Sequence, residues 1–329
     1  DECMPHYYKI TSGHGMGAET IMRAEADFLR GRFDDAQIGL ERAYAQIAGN
    51  GQTNMTLCCD FLAWRLSLGG GYTPRIPLAV RQEEMLRQHN MAWRNLFHAI
   101  GAYYYALRGQ TDSIPEVYAA HRMDSVNTLA PGRPMIGLIE DQVYLAQGEW
   151  ASVLGRAPGL LAMCEALHYD LVALHLRIQM AAAYAGLGRQ TEARALLQQA
   201  LAQAAPDGFA MPFAENYRYL AGLLEAERSG GQAELAGHIC ALGRAQEKRC
   251  AALNRSEALP EAAAALTDRE LRMAGMIARR CTNREIAQAM FLSEGTVKQY
   301  INQLYAKLDI GGDVRTRRAR LAELFRTKN

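Results

Sequence analysis

The chain has 329 residues, of which 49% are hydrophobic and 22% charged, and its formal net charge is +1. That length allows two domains or one elongated array, and no apolar run is long enough to span a bilayer. No signal peptide is visible at the start. The first residue is Asp1, which points to a fragment or a processed product.

Residues 1–17 are glycine-rich and show no clear period. A repeat begins after them. Gly31 is followed by Phe33, Ala36, Leu40 and Ala43; Gly188 is preceded by Ala181 and Tyr184 and followed by Ala193, Leu197 and Ala200. Aligning on the glycine gives Gly31, Gly70, Gly109, Gly148 and Gly188, at intervals of 39, 39, 39 and 40 residues, with a weaker sixth unit at Gly230 or Gly231. Small residues suit the close approach of two antiparallel helices, and a turn glycine adopts the left-handed conformation that ends the first of them. Pro74, Pro77 and Pro115 crowd the second helices of units two and three, which should begin at or just before the prolines.

These offsets resemble the tetratricopeptide repeat. The resemblance implies about six stacked helix pairs over residues 18–253, forming a TPR-like solenoid with a concave binding face. Concave positions fall six and ten residues before each glycine. Trp64 and Tyr103, flanked by Glu25, Asp60 and Gln142, then make an apolar floor with a few polar groups, the composition of a small-molecule site. Packing between units is the competing explanation. Together with Asp207–Leu224, the long repeats resemble the sensor domain of large LuxR-type activators of the maltose-regulon kind, the LAL group. No G-x-x-x-x-G-K-[ST] phosphate loop accompanies them here.

Residues 254–265, polar and then alanine-rich with Pro260, read as a linker. From 266 onward 13 Lys/Arg face 7 Asp/Glu, while the preceding residues carry 23 against 28. Such asymmetry points to a nucleic-acid partner for the basic segment. Within it, Thr282 and Glu285 have capping-box spacing at a helix start. Ile286, Ala287 and Met290 form one apolar stripe, Phe291 and Leu292 a turn, and Ser293 an N-cap. Val297, Ile301, Leu304 and Leu308 lie on the inner face of the next helix. Its other face, with Thr296, Lys298, Gln299, Asn302, Gln303 and Lys307, suits phosphates and base edges.

Leu266-Thr267-x-Arg269-Glu270, Asn283-x-Glu285-Ile286-Ala287, Ser293-x-x-Thr296-Val297-Lys298 and Lys307-Leu308 together resemble the DNA-binding domain of LuxR-family regulators. The resemblance implies a four-helix, helix-turn-helix domain over residues 266–329. Three positions depart from the family pattern: Arg280 replaces a usual glycine, Tyr300 a common histidine, and Asp313 the arginine that opens the last helix. Lys298, Gln299 and Asn302 are expected at base edges, and Thr282, Ser293, Thr296 and Lys307 at phosphates, with Arg279, Arg280 and Arg284 adding sequence-independent attraction.

Enzyme motifs are absent: no G-x-S-x-G, no H-E-x-x-H and no dinucleotide fingerprint. The histidines are dispersed, with His168 and His175 seven apart and no third ligand, and the seven cysteines lack a C-x-x-C pair. The expectation is an all-α bacterial protein of the cytoplasm, without cofactor, metal or membrane. It would act as a transcriptional regulator whose array senses a small molecule or protein and whose C-terminal domain binds double-stranded DNA as a homodimer, with RNA polymerase as a further partner. The alternative is a repeat scaffold for protein partners with a secondary basic tail.

Overall fold

The computed structural model describes residues 15–49, 51–87, 90–122, 130–257, 266–278 and 280–325. Among them all regular structure is helical, in two compact units, Asp1–Cys250 and Ala251–Asn329.

The first unit is a succession of helix pairs. These are α1 (Ala18–Leu29) with α2 (Phe33–Ile47), α3 (Thr53–Gly69) with α4 (Leu78–Arg87), and α5 (Met91–Arg108) with the single-turn α6 (Glu116–Ala119). Then follow α7 (Arg133–Gln147) with α8 (Trp150–Leu167), and α9 (Asp170–Gly186) with α10 (Gln190–Ala204). The short α11 (Met211–Ala214) leads to α12 (Tyr217–Glu227) and the long α13 (Ala233–Glu257). Ala36, Leu40 and Ala43 on α2 and Ala193, Leu197 and Ala200 on α10 are fully buried, so the small residues of the repeat sit where paired helices touch.

The turn glycines explain where the first helices stop. Gly31, Gly109, Gly148 and Gly188 have φ between +70° and +80°, and the amides around them close back on the last helical turn, as Gly109 N–H does on Ala106 and Gln110 N–H on Tyr105. This is the Schellman arrangement, which glycine enters without steric cost. Pair two differs. Gly70 keeps φ −104°, and Gly71 is the left-handed residue at +76°, so that turn comes one residue late. The prolines also sit differently from expectation. Leu78 opens α4 directly after Pro77, and Pro115 is the N-cap of α6; both precede their helices. A pre-proline residue is biased away from helical conformation, and Ile114 before Pro115 is extended, at φ −67° and ψ 132°.

The first helices of successive pairs form a layer, α1 on α3, α3 on α5, α5 on α7, α7 on α9 and α9 on α12. The inner face of that layer is not an open groove. The Ala210 N–H donates to the Leu29 carbonyl at 2.8 Å, and Met211 and Ala214 pack among α1, α2 and α3. Arg218 on α12 donates to the Leu107 carbonyl at 2.9 Å, and Arg249 on α13 bonds the Gly69 carbonyl. The end of the unit thus packs on its beginning.

In the second unit α14 (Asp268–Ala278), α15 (Asn283–Met290), α16 (Glu294–Lys307) and α17 (Val314–Leu324) surround a core that includes Met273, Ile277, Ile286, Val297, Leu304 and Leu321. Helix α13 continues to Glu257, into the start of the segment read as a linker; residues 258–265 lie outside the described part.

Candidate functional site

Helices α15 and α16 are positioned by their caps. The Thr282 hydroxyl accepts from Glu285 N–H at 3.3 Å, while the Glu285 carboxylate accepts from Thr282 N–H at 2.6 Å. Both halves of the capping box are therefore made. The hydrogen bond from Thr282 N–H, followed by that from its hydroxyl, holds the Glu285 carboxyl below its ordinary range. Phe291 ends α15 in the left-handed conformation at φ 55° and is 95% exposed. Two residues on, Ser293 Oγ accepts from Thr296 N–H at 3.0 Å and starts α16.

This turn sets which face of α16 points outward. Val297, Ile301, Leu304 and Leu308 are buried, whereas Lys298, Gln299, Asn302 and Gln303 are exposed on the other side. Lys298 and Asn302 are four residues apart and share one stripe. Thr282, Ser293 and the partly exposed Thr296 lie at the amino ends of α15 and α16, where free amides attract anions. The Ser293 and Thr296 hydroxyls bond each other at 2.8 Å.

Lys307 is placed differently from the other expected DNA residues. Its Nζ donates at 2.9 Å to Glu270, a residue only 4% exposed. The Lys307 hydrogen bond, then that from Thr267 N–H, keeps the Glu270 carboxyl below its ordinary range. Lys307 is thus tied to α14, the helix that Glu270 caps through Thr267. Arg284 is exposed, and Arg279 lies outside the described residues. Arg280 has φ +64°, with its own N–H on Ile277 and that of Cys281 on Met276, so the usual glycine there meets a left-handed requirement. Asp313 Oδ1 accepts from Thr316 N–H at 2.7 Å and caps α17. Arg318 on α17 reaches Asn283 at 2.9 Å.

Two helices joined by a tight turn, the second with Lys298, Gln299, Asn302 and Gln303 exposed, are the geometry of a helix-turn-helix. Residues 264–318 match the model of a known family, bacterial regulatory proteins of the luxR family. The C-terminal unit carries a luxR-family domain. Over 64 residues the chain is 45% identical to the DNA-binding transcriptional activator DevR/DosR of Mycobacterium tuberculosis (strain ATCC 25618 / H37Rv), a match covering 19% of this chain and 29% of that protein. The chain thus spans less than a third of that relative's length. No solved structure matches the chain.

Upstream of the luxR-family domain, the first unit holds a cavity of about 380 Å³ on the inner face of its helix layer. Its wall is mainly Ile21, Leu29, Phe61, Leu138, Ile139 and Val172, with Glu25, Arg65, Tyr103 and His175 as the polar groups. Glu25 and Tyr103 are two of the five residues expected there. The other three are elsewhere. Asp60 accepts from Tyr44 Oη at 2.7 Å and from Arg81 Nε at 2.6 Å. Trp64 packs edge-on to Phe97 and donates to the Ile76 carbonyl at 3.3 Å. Gln142 is fully buried between Asn216 and Gln179, at 3.1 and 2.9 Å.

Pair two accounts for much of the displacement. Counted from its left-handed glycine, Gly71, the positions ten and six before are Phe61 and Arg65, both on the cavity wall. Counting from Gly70 selects Asp60 and Trp64 instead, about 100° around α3.

Arg65 links the cavity to the rest of the unit. Its side chain is 4% exposed, its Nε donates to Glu215 at 2.8 Å and its Nη1 bonds Glu25. The guanidinium also lies over the Phe28 ring, 4.5 Å from its centroid. Tyr103 donates to the other Glu215 oxygen at 2.8 Å, and the buried carboxylate pushes the phenol pKa upward, with desolvation the larger cause. Burial, with Arg65 nearby, lowers His175 to about 3. A larger cleft of about 550 Å³ lies along α4, α5 and α6, lined by Gln82, His98, Tyr105 and Glu116 among others, and includes none of the five expected residues.

Proposed function

We propose that this protein is a DNA-binding transcriptional regulator in which a TPR-like helical array senses a signal and the luxR-family domain binds promoter DNA. The single observation that carries the DNA half is the outward stripe of α16, where Lys298, Gln299 and Asn302 are exposed and ordered from a capped N-terminus. Lysine and amide side chains there match phosphate oxygens and the donor–acceptor pattern of a major groove. The similarity to DevR/DosR, a DNA-binding transcriptional activator, supports the same reading. Two copies would pair on DNA, in the cytoplasm, with RNA polymerase as the downstream partner.

The sensing half rests on the cavity and its wiring. Arg65 and Tyr103 line the cavity and also hold Glu215, in the connection between α11 and α12. A molecule that binds one arrangement of these groups better than another shifts the array toward it. Helix α13 follows that connection and runs past the boundary at Cys250 between the two units. A peptide scaffold is less favoured, because Glu215 and Asn216 are buried against the inner helices that an extended peptide would need.

The test begins with a duplex selected by the full chain from a random library. Affinity for it should fall steeply with added salt as bound phosphates release counterions. Lys298→Ala with Asn302→Ala should weaken binding by at least about ten-fold, since each good base contact contributes about 1–3 kcal/mol. The helical signal should stay intact. Unchanged affinity in the double variant would remove α16 as the reading helix.

A further inference from the structure

Three large apolar side chains, Met22, Met135 and Leu171, are 71%, 47% and 38% exposed, and all three line the 380 Å³ cavity of the first unit. Scattered exposed hydrophobics need no explanation, but a cluster around one opening marks a contact site. We propose that this cavity binds a neutral, largely apolar small molecule that presents one hydroxyl or carbonyl group to His175. The assignment deepens the sensing reading above by naming the class of ligand.

Size and lining select that class. The volume falls within the range of small-molecule sites, which are mainly apolar with a few placed polar groups. A sugar would exchange water for Ile21, Leu29, Phe61, Leu138 and Val172 and leave most of its hydroxyls without partners. The two methionines at the opening have flexible, polarizable side chains that adapt to an apolar guest.

Charge excludes an anionic head group. Arg65 is the cavity's cation, and it is already held between the carboxylates of Glu25 and Glu215. Those three groups leave one surplus negative charge, so a carboxylate ligand would meet repulsion in a site poor in water. His175 supplies the polar contact. It is 7% exposed, lines the cavity, and its buried Nδ1 has no hydrogen-bond partner among the described residues. A neutral imidazole offers one donor and one acceptor nitrogen, and a turn of the ring toward the cavity that it lines would bring the unpaired Nδ1 to a ligand hydroxyl or carbonyl.

The experiment titrates the full chain with N-phenyl-1-naphthylamine, a neutral apolar fluorophore, and should show saturation at one site per chain. 1-Decanol should displace the probe, decanoate should be at least ten-fold weaker, and a glucose trisaccharide should be inert. Met135→Trp, at a half-exposed position, should fill the opening and weaken the probe ten-fold or more; Met22→Glu, at a more exposed one, should do the same by charge. His175→Leu should weaken 1-decanol about ten-fold relative to 1-chlorodecane. Undiminished probe affinity in both opening variants overturns the location. Decanoate or the trisaccharide binding as well as 1-decanol overturns the ligand class, and equal losses for the two decane derivatives remove His175. If 1-decanol binds as described but DNA affinity does not change, the sensing reading fails and the site stands. If 1-decanol changes DNA affinity equally in Met135→Trp, sensing stands and the site fails.

Discussion

Arg280 shows how one residue reports a local constraint. Its φ of +64° lies in the left-handed region, which costs an ordinary L-residue about 1–2 kcal/mol. The amide bonds of Arg280 and Cys281 that end α14 require this conformation, so the chain accepts the strain to make the turn into α15. Arg280→Gly should therefore stabilise the luxR-family domain by about 1 kcal/mol, after the extra chain entropy of glycine is set against the relieved strain. Urea unfolding followed by far-UV circular dichroism measures it; a midpoint moving down would mean the backbone there is not left-handed. Asp313 is a second departure from the family pattern with a local cause. A short acidic side chain caps the start of α17, a task an arginine at that position does not perform.

At the scale of elements, the connection between α11 and α12 fastens the array. Glu215 is 112 and 150 residues away in sequence from the two side chains it binds, Tyr103 on α5 and Arg65 on α3. Its side chain is 1% exposed, and removing it leaves the Tyr103 hydroxyl and Arg65 Nε as buried donors without that acceptor, while Glu25 still neutralises the guanidinium. Glu215→Ala should destabilise the first unit by about 1–3 kcal/mol, the cost of buried donors left without an acceptor. Arg65→Met combined with Glu215→Leu should cost less than the sum of the two single changes, because each removes a partner that the other has already lost. Additive losses in the double variant would show the pair is not coupled. This closure was not legible in the sequence, which carries no periodic mark for a contact 150 residues long. The helix pairs were legible because a turn glycine and small residues recur at a fixed interval. The cavity was legible only in part. Glu25 and Tyr103 were reached because Gly31 and Gly109 are the left-handed residues of their turns, whereas Gly-Gly at 70–71 offers two registers that only the backbone distinguishes. The two-helix segment around α16 was the most readable part, since its caps, turn and stripe are all local. The engagement of Lys307 by Glu270, 37 residues away, was not.

For the molecule as a whole, two buried ionisable groups pull the pH dependence of stability in opposite directions. Asp141 on α7 is 1% exposed, and among the described residues neither of its oxygens has a hydrogen-bond partner; Arg156 Nη1 lies 3.4 Å away. Desolvation raises its pKa to about 7, against the lowering pull of Arg156 and with a further push from Glu140. Between about pH 4 and 7 the folded chain keeps a proton that the unfolded chain has lost, so this group makes stability fall as pH rises. His175 has the opposite sign. Its folded pKa is lowered to about 3 from 6.5, so below 6.5 the unfolded chain takes up a proton that the folded chain refuses, and stability falls as pH falls. Across the overlapping window the two slopes offset each other in the parent protein. Asp141→Asn keeps the shape and removes one titration. Relative to the parent it should gain a few kcal/mol between pH 5 and pH 8, at 1.36 kcal/mol for each pKa unit of displacement. Urea unfolding at the two pH values measures the difference. A gain that is the same at both would mean that Asp141 is already ionised in the fold, paired more closely with Arg156 than 3.4 Å implies.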